Sequence, residues 1–368
     1  MTNKLERLTR LAREAGIDGV LLATQHNFAW ATGGRSNRID GSRELGSGCL
    51  LVAADGRRFV LANNIEMPRL LDEELTGLGY EPVEFPWTDD RADPGILIAH
   101  AKRVLGGNAR IGADWGLRDA TAVEGAISRA RMRLTDAEAD RYREFGRESG
   151  RVVADVCRAL TPGLEEHEVA RRVSDGLARI GARTIVLQVG ADDRIARYRH
   201  PVPTSTRWEH VVMVIVCAQR AGLVVALSRI VCAGLVPPPL EARTRSTASV
   251  FARMLDATRP GVTGREVFAA AARAYADEGF AGEERRHHQG GAIGYRSREW
   301  VAHPRCEEVV QQQQAFAWNP SITGTKVEET TLIVGDRLEA VTTSPGWPAA
   351  MVEVRGQSVA VPAVLQLG

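Results

Sequence analysis

Lysine is scarce in this chain: of 47 basic residues only three, Lys4, Lys102 and Lys326, are lysine. The rest are arginine, an excess that genomic base composition can produce, so no arginine gains functional weight from abundance alone. Net charge is almost absent as well. The 47 basic residues face 46 acidic ones, which gives no reason to expect a nucleic acid, a membrane surface or a bulk acidic partner. Paired cysteine motifs are missing too. Cys49, Cys157, Cys217, Cys232 and Cys306 are odd in number, widely spread and without a CxxC, a pattern that predicts small buried thiols in a reducing, cytoplasmic setting. There is no apolar run of the length a membrane helix needs. Glu6 and Glu14 interrupt the first helical pattern, where a secretory leader requires an unbroken apolar core.

What is present suffices for two packed domains: 368 residues, 44% of them hydrophobic. Leu5, Leu8, Leu11 and Ala12 share one face of a predicted helix over 3–16, with Thr2 or Asn3 to cap it. GVLLA follows as a buried strand, and CLLVAADGRRFVLA (49–62) reads as a hairpin turning at Asp55-Gly56. Strands and helices alternate to residue 133, which predicts a first α/β domain over 1–133. Thr135 or Asp136 then caps a long charged helix, opening a second domain over 134–368.

The second domain carries an internal repeat. TPGLEEHEVARRVSDGLARIGA (161–182) and RPGVTGREVFAAAARAYADEGF (259–280) place Pro162 with Pro260, Glu168 with Glu266, and Gly181 with Gly279. Each is followed by a histidine-bearing segment, RYRHP at 197–201 and HHQGG at 287–291. Two α-α-β-β units imply a pseudo-twofold domain, helices outside an antiparallel sheet, with a site between its halves.

This arrangement resembles the pita-bread family of aminopeptidase P, prolidase, methionine aminopeptidase and creatinase over nearly the whole chain. The resemblance implies an α/β N-terminal domain followed by an α+β pita-bread domain with a curved antiparallel sheet, and a homodimer. Peptidases of the family hold two metal ions with two aspartates, a histidine and two glutamates. In IVCAQRAGLVVALSR the aspartate positions fall on Ile215 and Ala226; in GAIGYRSRE the histidine position falls on Gly291; in WNPSI the first glutamate falls on Asn319. Only Glu328, in GTKVEET, keeps its ligand type. The sequence thus predicts no metal and no other cofactor.

Creatinase is the family precedent for chemistry without metal, using a histidine as acid and base. GADDRIARYRHPVP matches that context, so the resemblance assigns the role to His200, with Glu328 beside it. His287 and His288, on a strand, would point to opposite faces, and His288 is read as the one in the cleft with Gln289 to orient an amide or carboxylate. An alternating strand would turn Arg296 and Arg298 to one face and Glu299 to the other; Arg298 takes the place of a family substrate-binding histidine and suits a carboxylate. Arg229 is expected to pair with Glu328, Asn319 to hydrogen-bond the substrate, and Arg199 to act beside His200. Arg35 or Arg38, in the N-terminal loop ATGGRSNRIDGSRE, would reach a substrate carboxylate from a second subunit. The function so implied is metal-independent hydrolysis of a C–N bond in a small, carboxylate-bearing molecule. A metal-free lyase, dehydratase or cyclase, and a ligand-binding pseudo-peptidase, are the alternatives.

Overall fold

The computed structural model describes residues 2–335 and 337–368. Its contacts divide the chain into two compact units, one ending at Arg131 and the other beginning at Met132.

In the first unit, helix α1 (Thr2–Glu14) precedes strand β1 (Gly19–Thr24), which leads directly into α2 (Gln25–Thr32). β2 (Leu45–Ala53) and β3 (Arg58–Asn63) form the hairpin written by the two apolar runs. Gly56 takes φ 94° in its turn, and Asp55 accepts a hydrogen bond from the Arg57 amide. With β4 (Glu81–Phe85), β5 (Ile111–Ala113) and β6 (Thr121–Ala122) they make a sheet of order β4-β3-β2-β1-β5-β6. It is antiparallel in the middle and parallel at both ends. α3 (Ile96–Leu105) and α4 (Glu124–Met132) complete the unit.

The second unit opens with α5 (Asp136–Arg158), whose Thr135 and Glu138 form a capping box, and α6 (Glu166–Ala178). β7 (Arg183–Ala191), β8 (Val211–Arg220) and β9 (Leu223–Ala233) follow as an antiparallel set. The pattern then recurs: α7 (Pro238–Ala257), α8 (Gly264–Asp277) with its own capping box at Thr263 and Glu266, then β10 (Gly290–Ile293), β11 (Trp300–Val301) and β12 (Ala315–Trp318). The Pro-Gly turns of the two repeats have the same backbone: Gly163 and Gly261 lie at φ 89° and 90°, and the closing Gly181 and Gly279 at 71° and 82°. Only glycine adopts such angles without strain, which is why the repeat remains visible in glycines after most other matches are lost.

The halves differ in one place that matters. β8 and β9 form an unbroken hairpin, whereas their counterpart stops at Asn319-Pro320 and continues as the short strands β13 (Ser321–Ile322) and β14 (Thr325–Lys326) before β15 (Glu329–Val334) and β16 (Arg337–Ala340). Proline removes a ladder donor and ends the pairing. The sheets run β11-β10-β12-β15-β16 and, with the C-terminal strand β19 (Leu365–Leu367), β19-β9-β8-β7. β19 pairs in parallel with β9, so the second sheet is not wholly antiparallel. β17 (Ala349–Val354) and β18 (Gln357–Pro362) make a separate hairpin. The two larger sheets meet at β9 and the β14–β15 segment, where Ser228 N donates to Glu328 O at 3.0 Å and Ala226 N to Thr330 Oγ1 at 2.7 Å. An apolar layer that includes Phe251, Tyr275, Trp300, Phe316 and Trp318 lies under α7, α8 and the second-half sheet. No helix among the described residues is long and apolar enough to cross a membrane.

Candidate functional site

Three histidines from the two halves of the repeat converge in the second unit. One ring nitrogen each of His200, His287 and His288 all lie within 4.8 Å of one another. His287 Nε2 is 3.0 Å from His200 Nε2, and the His287 and His288 rings stack at 4.3 Å between centroids.

The loop bearing His200 is held by buried Glu166 at the start of α6. Its carboxylate accepts from Ala191 N, Arg194 Nε and Thr204 N, each at 2.8 Å, and from Thr204 Oγ1 at 2.7 Å. Four charge-assisted bonds on one carboxylate fix the turn between β7 and residue 204. Arg199 anchors the same loop to the other half, donating to Ser321 Oγ at 3.0 Å, Thr323 Oγ1 at 2.9 Å and the Glu283 carboxylate. These bonds tie the segment next to His200 to the second half of the repeat.

His287 and His288 correct the strand expectation. β10 begins only at Gly290, so strand alternation does not govern the two residues before it and both reach the same place. Gly290 takes φ 89°, which suits glycine, and a Cβ there would sit 2.1 Å from Ala317 O. Gln289 holds the turn from inside. Tyr275 Oη donates to its Oε1 at 2.8 Å, and its Nε2 donates to His287 O at 2.6 Å, so both ends of its amide are engaged within the protein.

Beside the histidines lies a charged triad. Glu328 Oε1 accepts from Arg298 at 2.8 Å, and Glu328 Oε2 lies 3.3 Å from Lys326 Nζ. Asn319 Nδ2 donates to the same Oε1 at 3.4 Å. Lys326 and Glu328 are both almost fully buried. Residues 294–298 form a bend rather than a strand, so Arg298 arrives from a turn, its Nη1 pinned to Ser297 O at 2.6 Å. Glu299 folds its carboxylate back toward Gly294, within 3.4 Å of where a Cβ would stand.

Arg229 does not pair with Glu328. Its Nη1 lies 2.6 Å from Glu329 Oε1, and its Nη2 donates to Thr342 O and Ser344 Oγ at 2.9 and 2.6 Å. The one-residue difference reverses the face in an extended segment, which places Arg229 in a separate buried ion pair. Arg35 is an exposed residue of the first unit.

The electrostatics follow from this packing. Burial pushes the pKa of all three imidazoles down, with Lys326 adding to the depression; His288 falls to about 4 and His287 lower still. Burial raises the Glu328 carboxyl, but Lys326 and Arg298 outweigh it and the net shift is downward. Lys326 is itself lowered by burial, against the pull of Glu328. Cys217, in β8, is driven up to about 12 by burial and by the charge of Glu328. The result is neutral histidines beside an ionised carboxylate that carries two cations.

Two donor sets could be asked to hold a metal. The positions that the resemblance gives to the family's ligands are Ile215, Ala226, Gly291, Asn319 and Glu328. Ile215 and Ala226 offer no donor atom, and Ile215 packs with Ile195, Met213 and Ile230. A Cβ on Gly291 would fall 2.0 Å from Trp300 O, so no side chain is accommodated there. The one carboxylate is already neutralised by two side-chain cations. These five positions do not fit a pair of dications. The three histidines have the donor number of a zinc site but not its outer shell. His288 Nδ1 accepts from Gly290 N at 3.3 Å, which puts the ring proton on Nε2, and His287 Nδ1 is buried with no partner among the described residues, where a metal-bound imidazole ordinarily donates to a carbonyl or carboxylate.

Comparison with known proteins places this architecture. Residues 140–343 match the metallopeptidase family M24, and residues 4–144 match the creatinase/prolidase N-terminal domain. The chain is similar to dipeptidase PepE from Mycobacterium ulcerans (21% identity, TM-score 0.79, covering 100% of this chain and 98% of that one). It is similar also to an Xaa-Pro dipeptidase from Bacillus anthracis (20% identity, TM-score 0.76, covering 100% and 99%). The N-terminal domain of FACT complex subunit SPT16 from chickpea shares the fold at 13% identity and TM-score 0.68, covering 93% and 96%. No curated protein matches the sequence. The chain belongs to the metallopeptidase family M24, with a creatinase/prolidase N-terminal domain and the pita-bread fold.

The sequence reading missed Lys326 and Glu166. The signal for Lys326 was its rarity: a lysine two residues before Glu328, in a chain that otherwise uses arginine, calls for a reason. Glu166 carried no such signal, since a glutamate in the first turn of a helix is ordinary.

Proposed function

We propose that this protein is a hydrolase that cleaves a C–N bond in a small carboxylate-bearing molecule without the family's metal pair, using His200 as acid and base. The observation that carries the reading is the direct contact of His200 Nε2 with His287 Nε2 at 3.0 Å, beside a carboxylate already occupied by Lys326 and Arg298.

Two neutral imidazoles that meet through their Nε2 atoms need one proton between them. A proton on His287 Nδ1 would be a buried, unpaired N–H, so the favourable tautomer has His287 donate and His200 accept. In the reaction a water replaces His287 at the His200 lone pair and gives up a proton to it. The water oxygen bonds to the carbon of the C–N group, whose π electrons move onto its other heteroatom. The collapse that follows breaks the C–N bond, and the leaving nitrogen takes the proton back from the imidazolium. His288, with its proton on Nε2, is a donor for the substrate heteroatom. Arg298 Nε has no partner among the described residues, and its guanidinium suits a carboxylate. The presence of the same fold in a FACT complex subunit means that the histidine cluster, not the fold, supports a catalytic reading.

The test is turnover after exhaustive chelation. Dipeptides, N-acyl amino acids and guanidino acids are incubated with protein dialysed against chelator, and release of amine is followed by mass spectrometry. Cleavage that persists in chelator and drops about 100-fold or more in H200Q supports the reading. Dipeptide cleavage seen only after manganese or cobalt is added sinks it.

A further inference from the structure

The metal ions of a two-metal hydrolase supply fixed positive charge next to the reacting group. Here the place beside Glu328 already holds fixed positive charge. Lys326 Nζ and the Arg298 guanidinium flank one carboxylate at 3.3 and 2.8 Å, so two cations and one anion leave a net single positive charge in a buried site. Its surroundings do not cancel it. The three neighbouring histidines are neutral, and Asn319 adds an amide without charge.

The donors in this triad are incompletely used. Arg298 Nε is buried and has no hydrogen-bond partner among the described residues. An ammonium carries three N–H donors, and among the described residues Lys326 has one ion-pair partner, Glu328. Lysine is also the less suitable cation for a purely structural ion pair, since arginine is more weakly hydrated and binds carboxylate through two parallel bonds. This chain chooses arginine 44 times among its 47 basic residues and lysine at this buried position. A compact point charge with spare donors suits a single oxygen that carries negative charge.

We propose that Lys326 is a binding residue for one oxyanion, the ammonium and the Arg298 guanidinium together forming a monoanion site where the family's peptidases carry metal. The occupant is an oxygen anion of a substrate, either a carboxylate oxygen in the bound state or the oxygen that gains charge when water adds. This names the cation for the hydrolytic reading above, and it rests on that reading for the second occupant alone. Carboxylate binding is measured without turnover, so the two ideas fail separately.

The experiment exploits the three lysines. Protein labelled with 15N at lysine has three side-chain Nζ signals, and K326R identifies the one from the site by its disappearance. Titration with acetate is compared with titration by acetamide, which has the same shape and no charge. The expected result is that acetate shifts the Lys326 signal saturably while leaving those of Lys4 and Lys102 in place, and that acetamide binds about tenfold or more weakly. K326M should lose about tenfold or more of the acetate affinity by calorimetry. Equal response to acetate and acetamide overturns the proposal, as does a Lys326 signal that does not move at saturation or an unchanged affinity in K326M. If K326M fails to fold, the wild-type titration decides alone. Carboxylate binding without hydrolysis of any substrate leaves this site standing and removes the catalytic reading.

Discussion

The Nε2 atoms of His200 and His287 face each other at 3.0 Å, one from each half of an internal repeat. Neither half therefore holds the site alone, and the imidazole pair tests how closely the halves are registered.

Neutral imidazoles should make the protein sensitive to acid. His288 has its folded-state pKa depressed to about 4 by burial first and by Arg298 next, against about 6.5 in an unfolded chain. A base whose pKa falls on folding contributes stability that is complete above pH 6.5 and lost as the pH falls toward 4. Thermal melts between pH 7.5 and 4.5 should show a falling Tm over that window, with a shallower fall in H288N. An identical slope in the variant would remove His288 from the account.

Turnover should follow the same groups. With His200 depressed below its ordinary value, the base form is present through neutral pH. The rate is expected to stay level from pH 8 down to about 6.5 and to decline only below it. A profile that requires pH above 8 would point to a different base.

Metal uptake separates the two donor sets. After chelation and incubation with manganese, cobalt or zinc, elemental analysis should find well under one ion per chain. Stoichiometric zinc that is lost in H287A but kept in E328Q would transfer the chemistry to the three histidines.

The ion pair of Arg229 and Glu329, at 2.6 Å with both side chains almost wholly buried, should be costly to break from one side. Glu329→Gln or Arg229→Met is expected to lose about 3–5 kcal/mol in urea unfolding, because each leaves a buried charge alone. The double variant should recover part of that loss. Equal losses in single and double variants would show that the pair does not act as a unit.

Much of the fold was legible because a few residue types dictate backbone shape. Asp55-Gly56 wrote the first hairpin, and the glycines at 163, 181, 261 and 279 wrote the repeat through their positive φ. The site was harder to read, for reasons of direction. Strand periodicity puts His287 and His288 on opposite faces, but the strand starts two residues after His288, at Gly290, whose φ of 89° departs from a regular strand. Arg229 was given Glu328 when its partner is Glu329, an error of one residue that in extended chain becomes an error of face. His200, Arg298, Asn319 and Glu328 were named from the resemblance, and the structure places Arg298 and Asn319 on Glu328.

Gly291 closes its position in the sheet to any side chain. Trp300 O stands 2.0 Å from where its Cβ would be, and the backbone around it pairs with Val301 on one side and Ala317 on the other. Placing a histidine at 291 is therefore not a side-chain exchange, since two strands would have to part before the imidazole could enter. Engineering a metallopeptidase from this scaffold would have to begin with the sheet and only then turn to the ligands.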